Sequence, residues 1–85
     1  MNLSNLVGQV LKEMISARGL TYTVYAENAG VTQGYISQVV NGDIKGVKLE
    51  TLEKLVKPLE ITVSDFLREV EKKRAFIVSP LQMMN

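Results

Sequence analysis

Apolar side chains recur at the spacing of an α-helix in the first segment of this chain. They lie at i, i+1, i+4, i+5, i+8 and i+9, the pattern of a helix with one buried face. These residues are Leu6, Val7, Val10, Leu11, Met14 and Ile15. The pattern predicts a helix from about Leu3 to Arg18. Gly8 should weaken the middle of this helix by about 1 kcal/mol relative to alanine.

Start and stop signals divide the next part of the chain into two short helices. Thr21 and Thr32 can each cap a helix, because a threonine hydroxyl accepts a hydrogen bond from a backbone N–H of the first turn. Gly30 suits a tight turn between the helices, since glycine adopts positive φ without steric cost. The sequence therefore predicts one helix that starts at Thr21 and ends at Gly30, and another over about Gln33 to Val40.

Two more helices and an apolar tail complete the predicted organisation. Leucine and valine keep the helical period over residues 49–59, with Pro58 in the last turn of this fourth helix. Thr62 and Asp65 have the spacing of a capping box and start a fifth helix over about residues 63–74. The tail, residues 75–85, is too apolar for a solvated end, so we expect another surface to cover it. The fold class is all-α, with five short helices around one core.

Cysteine and histidine are both absent from the 85 residues. Their absence removes disulfides, thiolate nucleophiles, imidazole acid–base chemistry and Cys/His zinc sites. A chain this short has room for one core and little for a deep substrate cleft. We therefore expect no enzyme, no cofactor and no metal site. Since neither a signal peptide nor a transmembrane span is recognisable, we expect a cytoplasmic protein that does not contact membranes.

Charged residues are missing from the fifteen residues between Glu27 and Asp43, although the whole chain carries ten basic and nine acidic side chains. On the predicted third helix, Gly34, Gln38 and Asn41 share the face that points away from the core. This face is neutral and rich in amides, and a glutamine amide can pair with adenine N6 and N7 in the major groove of DNA. The solvated face of an ordinary amphipathic helix has the same pattern, and periodicity does not decide between the two interpretations.

The segment from Leu20 to Gly42 closely resembles the helix-turn-helix of the Cro/C1-type (XRE-like) repressor family. The matching positions are a small residue on the first helix, the turn, the cap, the inward apolar residues and the end of the second helix. In this sequence they are Ala26, Gly30, Val31, Thr32, Ile36, Val39 and Asn41-Gly42. With the apolar series that follows, the resemblance covers about residues 6–67. It implies a five-helix lambda-repressor-like DNA-binding domain over residues 1–74, with the motif at about 21–42.

The resemblance also implies which residues contact DNA. The family's base contacts fall on the third helix, at Gln33, Gly34, Tyr35, Ser37 and Gln38. The phosphate contacts fall around that helix, at Tyr22, Thr32, Asn41, Lys45 and Lys48. Two positions depart from the family pattern: residue 22 is commonly glutamine, and Gly34 leaves a common contact position without a side chain.

A third departure concerns the core. In many family members an arginine late in the first helix pairs with a glutamate at the end of the third, and these positions hold Ile15 and Val40 here. Replacing a buried ion pair by packed hydrocarbon is often neutral or stabilising, whereas losing one partner alone is costly. We therefore predict that Ile15 contacts Val40 in the core.

The function implied by the resemblance is that of a sequence-specific, double-stranded DNA-binding transcriptional regulator. Of the two modes of regulation, we expect repression. One recognition helix reads few base pairs, so a homodimer on a palindromic operator is expected. Residues 75–85 are the candidate dimerisation segment, or a contact for a protein partner. The rival from another class is a protein-interaction module on the same scaffold, such as an antitoxin or co-regulator, which the near-neutral charge favours. An enzyme is a distant third.

Overall fold

The computed structural model describes residues 3–78, which form five α-helices and one short 3₁₀ turn. In chain order these are α1 (Leu3–Ala17), α2 (Tyr22–Ala29), α3 (Gln33–Val40), α4 (Leu49–Val56), the 3₁₀ turn Lys57–Leu59, and α5 (Val63–Val78). No strand is present in these residues, and the predicted all-α fold is confirmed. None of the helices in residues 3–78 is long and apolar enough to cross a membrane.

A single core joins the helices. Helix α1 packs against α3 and α5, while α2 packs against α3, α4 and the 3₁₀ turn. The largest side chains that are almost fully excluded from solvent are Leu6, Leu11, Ile15, Tyr25, Ile36, Leu55 and Phe66. Because α3 is held by α1 and α2, its opposite face stays open.

Helix α5 begins as predicted but ends later. Thr62 accepts a hydrogen bond from the backbone N–H of Asp65 at 3.0 Å, and the Asp65 carboxylate accepts one from the N–H of Thr62 at 3.4 Å, which is a capping box. The helix continues to Val78 rather than ending at Arg74, so the first residues of the predicted tail are helical. The charged residues before position 74 lie on the helix surface, where Arg74 pairs with Glu71 one turn earlier. Leu81, Met83 and Met84 lie outside the described residues.

Candidate nucleic-acid interface

The turn between α2 and α3 is built from local backbone chemistry. The Thr21 hydroxyl accepts from the N–H of Val24 at 3.2 Å and caps α2. At the other end Gly30 has φ 75°, and the N–H of Val31 donates to the carbonyl of Ala26 at 3.0 Å, closing the helix with a left-handed residue. The Thr32 hydroxyl then caps α3. Each of these roles had been predicted from the sequence, because caps and turns depend on neighbours along the chain.

Backbone contact with α1 fixes the C-terminal end of α3. A Cβ added at Gly8 would lie 2.6 Å from the carbonyl oxygen of Val40 and 2.9 Å from its carbonyl carbon. The glycine therefore lets the two helices approach more closely than any side chain would allow. The sequence had suggested only a weak point in α1 at this residue. Its structural role depends on the main chain of Val39 and Val40, more than thirty residues later in the sequence.

The loop after α3 is also held against α1. Gly42 has φ 77°, and a Cβ added there would lie 3.3 Å from the Cα of Asn5. The N–H of Gly42 donates to the carbonyl of Val39 at 3.0 Å, and that of Asp43 donates to Gln38 at 2.9 Å. Both ends of α3 are therefore anchored, and its exposed face is presented rigidly.

The five predicted base-contacting residues divide into two groups by exposure. Gln33, Gly34 and Gln38 are exposed, whereas Tyr35 and Ser37 are half-buried at the edge of the same face. The space above Gly34 is open, since an added Cβ would meet only the Thr32 Oγ1, at 4.0 Å. A groove of DNA could therefore approach the α3 backbone closely at this residue.

The predicted phosphate contacts surround this face. Thr32, Asn41, Lys45 and Lys48 are exposed, and Tyr22 is half-buried against the core. The ion pairs within residues 3–78 all lie on α5 or between α5 and α1, so both lysines are left without a carboxylate partner there. The Thr32 hydroxyl accepts from the N–H of Tyr35 at 3.0 Å, which leaves its hydrogen to donate.

One side-chain hydrogen bond crosses from α2 to the exposed face of α3. The Thr23 hydroxyl donates to the amide oxygen Oε1 of Gln33 at 3.1 Å, and both residues are exposed. The resemblance to the family had not indicated Thr23. Its position one residue after Tyr22, at the start of α2, is the only signal in the sequence that places it near α3.

Tyr25 connects the first helix of the motif to the core. Its side chain is fully buried, and its hydroxyl donates to the backbone carbonyl of Leu55. Burial raises the pKa of the Tyr25 hydroxyl above its ordinary value, and the positive charge of Arg18 lowers it in part. Leu55 lies in the last turn of α4, where helical carbonyls lack a later partner in the same helix. Tyr25 therefore ties α2 to the end of α4.

The two apolar residues at the family's ion-pair positions are both at least partly buried. Ile15 is 1% exposed, and Val40 is half-buried against the same core. Direct contact between the two side chains stays a prediction. Among the described residues, no cluster of three or more acidic side chains is placed to hold a metal ion.

Comparison with known proteins finds a family model, a curated relative and solved structures that are similar to this chain. The helix-turn-helix family model HTH_3 matches residues 11–66, which is more than half of the chain. A curated relative, the uncharacterized HTH-type transcriptional regulator YozG of Bacillus subtilis, is 35% identical over 54 residues. That match covers 64% of this chain and 64% of YozG, so the chain spans less than two thirds of the relative's length.

Solved structures extend the likeness to the fold. The clp gene regulator ClgR from Corynebacterium glutamicum has a TM-score of 0.83 at 26% identity, covering 99% of this chain and 88% of that one. A point mutant of the restriction-modification controller protein C.Esp1396I has a TM-score of 0.77 at 22% identity, covering 86% of this chain and 91% of that one. The second likeness concerns the fold alone. Together with the matched family model, the geometry of α2 and α3 establishes that this chain belongs to the Cro/C1-type (XRE-like) helix-turn-helix family.

Proposed function

We propose that this protein is a sequence-specific, double-stranded DNA-binding transcriptional regulator that reads the major groove with α3. The observation that carries the proposal is the exposed face of α3, which is free of charge and bears two amides. The helix is held by the Thr32 cap at its start and by α1 at its end. A rigid element that presents hydrogen-bonding side chains at helical spacing is what readout of base edges requires. The names of the relatives support the same role, since ClgR is called a gene regulator and YozG a transcriptional regulator.

Base recognition rests on Gln33 and Gln38. Each amide offers a donor and an acceptor together, which matches N7 and N6 of adenine. Tyr35 and Ser37 flank them with hydroxyl groups, and the open space at Gly34 permits close approach of the duplex. These five residues form the proposed base-reading face.

Phosphate contacts would set the register of α3 in the groove. Lys45 and Lys48 supply charge and have no carboxylate partner among residues 3–78, while Tyr22, Thr32 and Asn41 supply neutral donors. Such contacts add affinity for any sequence and make binding depend on salt, because each neutralised phosphate releases counterions. The protein would act by occupying an operator in the cytoplasm, with repression as the direct result, and would need neither a cofactor nor chemistry.

We expect substitutions on the two surfaces to have different effects. Gln38→Ala should relax the preference at one base pair of each half-site by about 1–3 kcal/mol. Lys45→Ala should weaken binding to all sequences alike and reduce the slope of affinity against salt. Selection from genomic fragments followed by titration at several salt concentrations measures both effects. If the wild-type protein returned no common sequence and showed no salt dependence, the interaction-module alternative would replace this proposal.

A homodimer on a palindrome follows from the short length of α3, with half-sites about 34 Å apart. We place the dimer contact on the groove between α4 and α5, not on residues 75–85 alone. Leu49 and Leu67 line this groove and are 62% and 39% exposed. Glu53 and Lys57 flank the groove, one turn apart. A two-fold axis that passes between these two residues would place Glu53 of each copy opposite Lys57 of the other.

Charge exchange tests the dimer contact directly. Glu53→Lys and Lys57→Glu should each weaken self-association by about tenfold, because two attractive pairs become repulsive. Mixing the two variants should restore association as a heterodimer, and the double variant should restore the homodimer. Sedimentation equilibrium measures all four cases. Unchanged dimers in both single variants, with loss of dimers on removing residues 79–85, would move the contact to the tail.

A further inference from the structure

A groove between α1 and α5 leads to an exposed aromatic ring. Its floor on α1 is apolar, with Val10 buried, Met14 half-buried and Ala17 exposed. Phe76, near the end of α5, lines the same groove and is 79% exposed, more than any other large apolar side chain that the structure describes. A phenylalanine ring contributes a large apolar area when it is covered, and within residues 3–78 this ring stays in solvent.

The chain leaves α5 at the Phe76 end of this groove. Arg18 follows α1 and donates to the carbonyl of Leu59 at 3.3 Å, four residues before α5 begins. Glu13, earlier on α1, pairs with Lys73, late on α5, at 2.7 Å. The two helices therefore run antiparallel, and the groove extends back from Phe76 toward Arg18. Since α5 ends two residues after Phe76, the next residues of the chain start at this end of the groove.

The seven residues after α5 have the length and composition to fill the groove. From Val10 to Ala17 the groove follows about 10 Å of helix. Seven extended residues span up to about 25 Å, which leaves length for a reversal of direction. Pro80 favours that reversal, because a proline ring clashes with the carbonyl that precedes it by four residues in a helix. The apolar side chains of this segment, residues 79–85, are Leu81, Met83 and Met84.

The opposite charges along the groove are paired with each other. Glu13 lies 2.7 Å from Lys73, and Glu69 lies 3.1 Å from Lys72, and all four residues line the groove. A charged partner would compete with these pairs, whereas an uncharged segment leaves both intact. Residues 79–85 carry no charged side chain.

We propose that residues 79–85 turn back after α5 and cover the groove between α1 and α5 of the same chain, with Leu81 and Met83 packed beside Met14 and Phe76. Side chains two residues apart in an extended segment share one face, and methionine sulfur packs favourably against aromatic rings. A segment joined directly to the groove acts at a high effective concentration, which favours it over the same segment of a second copy. The tail then belongs to the core of its own domain.

Phe76→Ala tests whether the ring is covered. With residues 79–85 over it, the unfolding equilibrium constant from urea titration should rise about tenfold, because a buried side chain is lost. An uncovered ring predicts a slight fall, since alanine is the better helix former. Val24→Ala is the matched control, because Val24 is 44% exposed on α2, outside the groove, and should give no rise. Met83→Ala should match Phe76→Ala, the double variant should lose less than the sum, and Gln82→Ala should change nothing.

A spin label on Asn85→Cys tests which chain supplies the segment. The sequence has no cysteine, so the label is attached at one position only. In isotope-labelled protein that carries the nitroxide, the amide NMR signals of Met14 and Ala17 should broaden more than that of Leu49, which lines the other groove. In a mixture of spin-labelled chains with isotope-labelled chains that lack the nitroxide, this broadening should disappear.

Two results would overturn the proposal. Broadening that persists in the mixture would mean that a second copy supplies residues 79–85. Absence of broadening at Met14 and Ala17, or a Phe76→Ala variant at least as stable as the wild type, would mean that the segment does not cover the groove. Neither result bears on DNA binding by α3, so the proposed function is tested separately.

Discussion

Gly8→Ala is expected to lower the free energy of unfolding by about 3 kcal/mol, at the upper end of the cost of overpacking a core. The added methyl group would lie 2.6 Å from the carbonyl oxygen of Val40, a distance that real Cβ atoms essentially never show. The atoms that the methyl group would meet belong to the main chain of Val39 and Val40, so no flexible side chain can move aside to relieve the clash. The helices α1 and α3 must separate, and the end of α3 must shift with them.

The direction of the change in unfolding free energy tests whether α1 and α3 cross as closely as the structure shows. At an exposed helical site, alanine stabilises by up to about 1 kcal/mol relative to glycine. Gly34→Ala is the matched control, because its methyl group would meet only the Thr32 Oγ1 at 4.0 Å. Urea denaturation should therefore show opposite or unequal changes, with Gly8→Ala strongly destabilised and Gly34→Ala unchanged or slightly stabilised. Equal stability of Gly8→Ala and the wild type would contradict the close approach of α1 and α3.

Features that depend on neighbouring residues could be predicted from the sequence. The caps at Thr21 and Thr32, the turn at Gly30 and the bounds of α3 follow from side chains and backbone groups within four residues of one another. The same locality explains the capping box of α5. The predicted end of α5 at Arg74 was wrong, because the helix continues to Val78. The i,i+3 ion pairs Lys72–Glu69 and Arg74–Glu71 lie within the helix and mark its surface, not its end.

Features that depend on distant parts of the chain could not be predicted in this way. The role of Gly8 depends on where Val40 lies, and the partner of the Tyr25 hydroxyl is thirty residues away on α4. For the candidate site, periodicity identified the polar face of α3. It did not show the hydrogen bond to Gln33, because the donor, Thr23, belongs to another helix.

Rising alkaline pH is expected to destabilise this protein through Tyr25. Burial holds the pKa of the Tyr25 hydroxyl above its ordinary value in the folded state, and the unfolded chain has the ordinary value of about 10. The contribution of Tyr25 is therefore fully present below about pH 10 and falls as pH rises toward the folded pKa. In that window the unfolded state releases a proton that the folded state keeps, so stability should fall by about 1.4 kcal/mol per pH unit.

Tyr25→Phe isolates this contribution, because it removes the titrating group and keeps the buried ring. Near pH 7 the variant should be less stable than the wild type by about 1–3 kcal/mol, since the carbonyl of Leu55 loses its donor in a buried site. Above about pH 10 the difference between the two proteins should shrink and then reverse, because only the wild type must keep a buried phenol protonated. Guanidinium titrations from pH 7 to pH 12 measure both curves. Parallel curves would mean that Tyr25 ionises as freely in the folded protein as in the unfolded chain, which a hydroxyl buried against α4 does not allow.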